Sequence, residues 1–392
     1  MLLITRNFGS VVFGRYTLTV TFSQIVVLIF TLGFPNGIIR LLTDPYHYNI
    51  KPKSNFLNKV FWITLILSVL ISILLYINSN FIALYLFNDE SLIEYIKILS
   101  FFITPLMFHE ILLNIYRGKK DFKKYNLFLF VLPPLLFIII YFLFFNKSHN
   151  ETSVILSFLF SILSVLILEI IFSRKIRSSN QSNYPIKQLL KLSLPMMLSG
   201  TILFLLSWTD IFMIGIMTSS KDVGIYSAAF KVASIGLIII LVFNVVIGPK
   251  VSELYNNNYM SKLKTTINKT TQLITFLTIP IFSIIIIFRK EILSFFGNDF
   301  IQGESVLIIL STSVLINAIS GNVDQILNMT NHQKIMKNIT LFCLIENIIL
   351  NYILIPIYGI NGAAWSSLIT TASLNFISIY YIKKKLGFFT FI

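Results

Sequence analysis

Phe13-Gly14-Arg15-Tyr16 and Val223-Gly224-Ile225-Tyr226 lie 210 residues apart, and two further pairs keep that offset: Arg40 with Lys250, and Phe87-Asn88-Asp89 with Gly297-Asn298-Asp299. Further on, Leu113-Asn114 meets Leu327-Asn328 and Glu110 meets Asp324 at an offset of 214, and Arg174 meets Lys384 back at 210. An internal repeat decides architecture before any single residue is read. This period is far too long for a solenoid, so the chain reads as two similar lobes, a plan common among membrane transporters.

Composition says where those lobes live. Hydrophobic residues are 56% of the chain and charged ones 12%, about half the roughly 25% charge of an average soluble domain, and the mean hydropathy is +0.82. That is the composition of a polytopic, all-α membrane protein. The net charge of +15 does not point to nucleic acid, because the basic residues lie in short loops between apolar runs rather than on one face of a soluble fold. The single Cys343 sits in an apolar run and reads as core packing; a disulfide framework or thiolate metal cluster within one chain is excluded. The four histidines, His47, His109, His149 and His332, have no ligand spacing, and there is neither a P-loop nor a Gly-rich nucleotide fingerprint. The reading is therefore a non-enzyme without cofactor or metal, driven by an ion gradient, the membrane potential or consumption of its product.

About 20 apolar residues in a helix cross the hydrocarbon of a bilayer. Eleven runs qualify: 16–42, 57–77, 92–115, 127–145, 154–173, 190–217, 225–248, 273–287, 306–328, 339–357 and 362–382. Five fall in an N-terminal lobe, residues 1–180, and six in a C-terminal lobe, residues 181–392, joined by a polar linker from Arg174 to Lys187. Alternate loops hold Lys51, Lys53 and Lys59, the five basic residues from Arg117 to Lys124, the five from Arg174 to Lys191, Lys250 with Lys262 to Lys269, Lys334 with Lys337, and Lys383 to Lys385, together 22 of the 31. The opposite loops hold Arg6, Arg15, Lys147, Lys221, Arg289 and Lys290. Lys and Arg are retained on the cytoplasmic side, so the C-terminus is expected inside and the N-terminus outside. Subtracting 210 from the run 190–217 puts its counterpart at about −20 to +7. The expectation is thus two six-helix lobes in parallel repeat, the first helix of lobe 1 being missing from the chain and encoded upstream of Met1.

Four stretches carry a family resemblance: Asn7 to Arg40 (NFGSVVFGRYTLTVTFSQIVVLIFTLGFPNGIIR), Leu192 to Gly200 (LSLPMMLSG), Trp208 to Ile235 (WTDIFMIGIMTSSKDVGIYSAAFKVASI) and Glu346 to Ser367 (ENIILNYILIPIYGINGAAWSS). On these the chain resembles the polysaccharide-biosynthesis exporters, the Wzx-type lipid-linked oligosaccharide flippases of the multidrug/oligosaccharidyl-lipid/polysaccharide superfamily. The resemblance implies a multi-pass protein of the cytoplasmic (inner) membrane that works by alternating access. Its implied cargo is an undecaprenyl-diphosphate-linked oligosaccharide for O-antigen, capsule or another surface polysaccharide, and its implied partners are membrane lipids, a polysaccharide polymerase and glycosyltransferases. A cation-coupled drug or small-molecule exporter of the same fold is the alternative, and a membrane-embedded polymerase or ligase a more distant one.

Ionisable groups inside a bilayer are costly and usually face a cavity or a partner. Asp210 and Lys231 fall at similar depths on consecutive antiparallel runs, so they are expected to pair, either as a static clamp or facing a cavity. Arg40 and Glu110 have repeat counterparts Lys250 and Asp324, a pattern that fits a symmetric inner gate or, for the two cations, snorkelling to the interface. Glu346, beside Asn347, is the candidate for a proton- or cation-responsive carboxylate, and Glu169 is expected to snorkel or pair near Arg174. For the implied diphosphate, Arg40, Lys231 and Lys250 are the candidate ligands, since charge-assisted donors must replace its water.

Overall fold

The chain is described here by a computed structural model covering residues 1–43, 56–145, 150–173 and 185–391. Among the described residues there is no strand. The helices are α1 Leu2–Phe30, α2 Phe34–Thr43, α3 Phe56–Ile77, α4 Leu92–Gly118, α5 Phe122–Phe144, α6 Thr152–Ser173, α7 Ile186–Met217, α8 Ser220–Asn256, α9 Met260–Ile287, α10 Asn298–Ser320, α11 Val323–Met329, α12 Gln333–Tyr358 and α13 Ile360–Leu386. Each of the eleven expected runs lies on this helical framework. Among the described residues, nine helices are long and apolar enough to cross a membrane. The two expected runs outside that set are α7, whose qualifying apolar part is Phe204–Met217, and α13, where Ser366, Thr370, Asn375 and Ser378 are buried among the apolar residues.

Helix α3 gives the physical reason for reading these as spans. Trp62, Ile66, Ile73 and Ile77 form one stripe at helical spacing and are 66, 64, 55 and 69% exposed. The opposite stripe is buried and includes the hydroxyls of Thr64 and Ser68. In water that arrangement is inside out; in hydrocarbon it is the favourable one, with polar groups turned to protein and apolar groups to lipid. The chain is an all-α, multi-pass membrane protein.

Breaks in the helices fall where the backbone demands them. Gly9 interrupts α1 with φ 76° and ψ −170°, and Leu32 and Gly33, at φ 51° and 70°, end it before α2. Pro35 then stands in the first turn of α2, where no backbone donor is needed. Pro195 and Pro249 lie inside α7 and α8. Helix ends follow the repeat: α3 ends at Ile77 and α9 at Ile287, 210 residues apart.

The packing divides into two compact units, residues 18–201 and residues 1–17 with 202–392. These boundaries differ from the expected lobes 1–180 and 181–392 because the long helices α1 and α7 each contribute to both units. The linker residues 174–184, with Arg174, Lys175 and Arg177, lie outside the described residues, as do His47, Lys51, Lys53, Lys147 and His149. The core of unit 18–201 is built from Phe34, Ile38, Leu41, Val60, Ile111 and Ile115. In the other unit Val251, Ile267, Val323, Ile326 and Ile382 pack around Cys343, which is 0% exposed, so the cysteine is a core residue.

Inside the unit formed by residues 1–17 and 202–392, the repeat meets itself. A Cβ on Gly14 would stand 1.6 Å from the backbone oxygen of Ser220, and one on Gly224 would stand 2.0 Å from that of Ser10. Ser10 and Ser220 are themselves 210 residues apart, as are Gly14 and Gly224. Two Ser-x-x-x-Gly stripes therefore cross reciprocally about a local pseudo-two-fold, a small-residue contact that lets membrane helices approach backbone to backbone. Around it Ser10 Oγ donates to Asp299 at 3.0 Å, Arg6 Nε donates to the carbonyl of Phe295 at 2.8 Å, and Phe13 meets Phe300 edge-on.

Candidate functional site

Asp210 sits on α7, eight residues before Thr218, and is 6% exposed. Its carboxylate is the centre of a polar cluster drawn from three other helices of the unit. Tyr226 on α8 donates to Oδ2 at 2.7 Å, and Ser367 on α13 donates to the same oxygen. Oδ1 accepts from Asn351 at 2.7 Å and Asn347 at 3.1 Å, both on α12, and Asn351 also donates to Asn347 Oδ1 at 3.1 Å. Four neutral donors from three helices thus take up a carboxylate in the membrane interior. Asn347 and Asn351 are four apart on α12, so both amides point to one side, and Tyr226 enters from the second turn of α8.

The expected Asp210–Lys231 pair is corrected by this geometry: no ion pair joins them among the described residues. Tyr226 faces Asp210, and Lys231, five residues on, points about 140° away around the same helix. Its side chain is exposed, with Nζ 5.4 Å from the centre of the Phe13 ring. Glu169 is corrected too. It is 0% exposed and is joined to His109 Nδ1 through Oε2 at 3.0 Å, so it neither snorkels nor reaches for the interface.

Two cavities adjoin the cluster. One, of about 160 Å³, is lined by Asn317, Asn347, Ser367, Thr370, Thr371 and Asn375 with two leucines. The other, of about 220 Å³, shares Asn317, Ser367 and Thr371 with it and adds Ser207, Ser234 and Ser313. Asn351 Oδ1, Thr370 Oγ1 and Asn375 Oδ1 are buried without a protein partner. The walls are mixed, with Leu206, Phe230, Leu237 and Leu310 beside the hydroxyls and amides of the larger cavity, and cavities of this size with several polar groups have room for bridging water. Glu346 lies on the same helix as the two asparagines; Ser373 donates to its Oε1 at 2.9 Å, and its buried Oε2 has no partner.

The other predicted residues do not join this cluster. Lys250 is exposed and bonds Glu253 at 3.1 Å, one turn along its own helix, a surface pair of the kind that contributes about 0–1 kcal/mol. Asp324 stands in the first turn of α11 and is half-buried. Arg40, in the last turn of α2, is exposed, and Glu110 on α4 accepts from Asn114 Nδ2 at 2.8 Å; both belong to unit 18–201. Asn347, Asn351, Tyr226 and Ser367 were not among the predicted site residues. The signal for the asparagines was present, since two amides four apart in an apolar span must find a partner, but nothing in the sequence says that the partner is Asp210.

The fold is shared with solved transporters. A structure described as the inward-facing conformation of a multidrug resistance MATE family transporter of the MOP superfamily is 15% identical, with TM-score 0.81 over 99% of this chain and 95% of that one. Lipid II flippase MurJ in its inward closed conformation is 18% identical, with TM-score 0.78 over 97% of this chain and 84% of that one. In sequence, a Haloferax volcanii protein described as a probable low-salt glycan biosynthesis flippase, Agl15, is 28% identical over 179 residues, 45% of this chain. The chain spans 38% of the length of that relative. Residues 4–302, more than half the chain, match the family described as polysaccharide biosynthesis protein. With a multi-pass helical fold to match, the chain belongs to the polysaccharide biosynthesis protein family.

Proposed function

We propose that this chain is a transporter of the cytoplasmic membrane that flips an undecaprenyl-diphosphate-linked oligosaccharide unit from the cytoplasmic to the outer leaflet by alternating access. The observation that carries the reading is the family match over residues 4–302, and the likeness to a probable glycan flippase supports it. The physics adds that Lys231, a cation without a carboxylate partner among the described residues, is free to hold a diphosphate. Arg40 with Glu110 in one unit, and Lys250 with Asp324 in the other, are proposed separately as basic and acidic groups along the transport path. Asp210 and its four donors, with Glu346 on α12, are the coupling group, because a carboxylate beside a partly polar cavity in the bilayer is where a cation or proton binds. That cluster also favours a second reading, a cation-coupled exporter of small molecules on the same fold. Glycosyltransferases and a polymerase are the proposed partners on the substrate and product sides.

Lys231→Ala should reduce surface polysaccharide at least tenfold at matched expression, and Asp210→Ala in the same chain should not restore it, since the two side chains do not pair. Lipid-linked oligosaccharide is expected to accumulate inside such cells. Normal export by Lys231→Ala would remove the lysine from the binding role, and unchanged export by a strain lacking the protein would remove the glycolipid reading altogether.

The proposed topology has its own test. Cys343 is buried, so a Cys343→Ala background is expected to fold and to leave the protein free of thiols. Single cysteines at Lys119 and Lys264 should then resist an impermeant thiol reagent in intact cells, while those at Asn88 and Asn298 should react. Labelling at position 119 overturns a cytoplasmic placement of that loop.

A further inference from the structure

A second buried acid lies in unit 18–201, outside everything assigned above. Glu169 on α6 is 0% exposed, and the only side chain bonded to its carboxylate among the described residues is His109 on α4, Nδ1 to Oε2 at 3.0 Å. Its other oxygen, Oε1, is buried with no partner. Tyr116 donates to the backbone carbonyl of Glu169 at 3.2 Å and leaves the carboxylate alone. Glu110, on the same helix as His109, is turned to Asn114.

Among the described residues no lysine or arginine is ion-paired with Glu169. The other ionisable groups on these two helices and on those packed against them are Arg40 on α2, Lys59 and Tyr76 on α3, Glu94, Tyr95, Lys97, Glu110, Tyr116 and Arg117 on α4, Lys123, Lys124, Tyr125 and Tyr141 on α5, and Lys187 and Lys191 on α7. Arg117 lies over the Tyr125 ring, and Lys124 is held by Asp121 at 3.2 Å. With a neutral imidazole donating from Nδ1 to an ionised Glu169, the pair carries one negative charge in a dry, low-dielectric place, which is expensive unless compensated. One added proton, on His109 Nε2 or on the vacant Glu169 Oε1, makes the pair neutral overall while keeping the hydrogen bond between them. The accessible member is the imidazole, whose side chain retains 10% exposure against 0% for the carboxylate, and histidine is the side chain suited to gaining and losing a proton near neutral pH.

We propose that His109 and Glu169 form a proton-binding site in unit 18–201, taking one proton from water as a pair and passing from a net charge of −1 to zero. The two groups titrate as a unit, so the proton belongs to the pair rather than to either residue. The site is independent of the substrate carried, and it makes the packing of α4 on α6 sensitive to pH.

Proton uptake by the purified full chain in detergent, followed between about pH 8 and pH 5, the window in which histidine switches, tests this directly. The unmutated protein should take up about one proton more per chain than Glu169→Gln, and His109→Gln should lose the same proton. The acid-minus-alkaline infrared difference spectrum of the unmutated protein should contain an imidazole change or a protonated buried carboxyl band that both variants lack. Equal proton uptake by the unmutated protein and a folded variant overturns the site. Should neither variant fold, the unmutated protein still decides: a difference spectrum with no protonated buried carboxyl and no change in a ring-labelled histidine overturns the proposal as well.

Discussion

Asp210→Ala should be the most damaging single side-chain truncation in the C-terminal part of the protein. It removes the acceptor for Tyr226, Ser367, Asn347 and Asn351 together. The two hydroxyls can turn to other oxygens, but the amides on α12 are fixed by their helix, and each stranded buried donor costs about 1–3 kcal/mol. Asn351 keeps its bond to Asn347 Oδ1, so Asn347 is the amide left stranded, at about 1–3 kcal/mol. Asp210→Asn keeps the shape and one carbonyl oxygen, and is expected to fold while losing transport at least tenfold, because it can no longer carry a negative charge. Thermal unfolding of both variants in detergent, beside transport by the asparagine form, separates the roles. Normal transport by Asp210→Asn would make the cluster structural only.

Gly14→Val and Gly224→Val should each disrupt the crossing of α1 on α8, and to a similar degree. The added Cβ atoms would stand 1.6 Å from the Ser220 oxygen and 2.0 Å from the Ser10 oxygen, and a backbone oxygen cannot rotate away as a side chain can. Relief requires the helices to separate by about 1.5 Å or more to reach ordinary contact. That strains the Ser10–Asp299 bond and the Phe13–Phe300 contact along with it. Overpacking of this kind costs about 1–3 kcal/mol, and with backbone on both sides the upper end is expected. The measurement is the fraction of monodisperse protein after detergent extraction at a series of temperatures. Wild-type behaviour of either variant would mean that the helices do not meet at these glycines.

The span pattern was legible because a bilayer imposes one rule on every helix: about 20 apolar residues in succession. The limits of α3 and α6 fall within two residues of their sequence estimates for that reason. The break at residues 31–33 was missed, since Leu32 at φ 51° carries no turn signature of its own and the apolar run continues through it. Site residues were harder. Asp210 stands out as a charge in an apolar run, but its partner was misjudged by counting depth along two helices without asking which way each side chain points. Depth alone made Lys231 a match; the 140° between Tyr226 and Lys231 around α8 decides against it. Glu169 was misjudged by its nearness in sequence to Arg174, whereas its partner His109 is 60 residues away on another helix. The Ser10/Ser220 and Gly14/Gly224 stripes were present in the repeat, but nothing in one dimension says that repeat-equivalent residues touch.

The central claim, that the chain flips a lipid-linked oligosaccharide, is tested most directly with the purified full chain in vesicles loaded with a labelled undecaprenyl-diphosphate oligosaccharide. Accessibility of the label to an externally added sugar-modifying enzyme is then followed over time. The account predicts protein-dependent exposure of the inner pool, lost in Lys231→Ala and in Asp210→Asn. Exposure no faster than in protein-free vesicles, from protein that is folded and that moves a cationic dye instead, would contradict it.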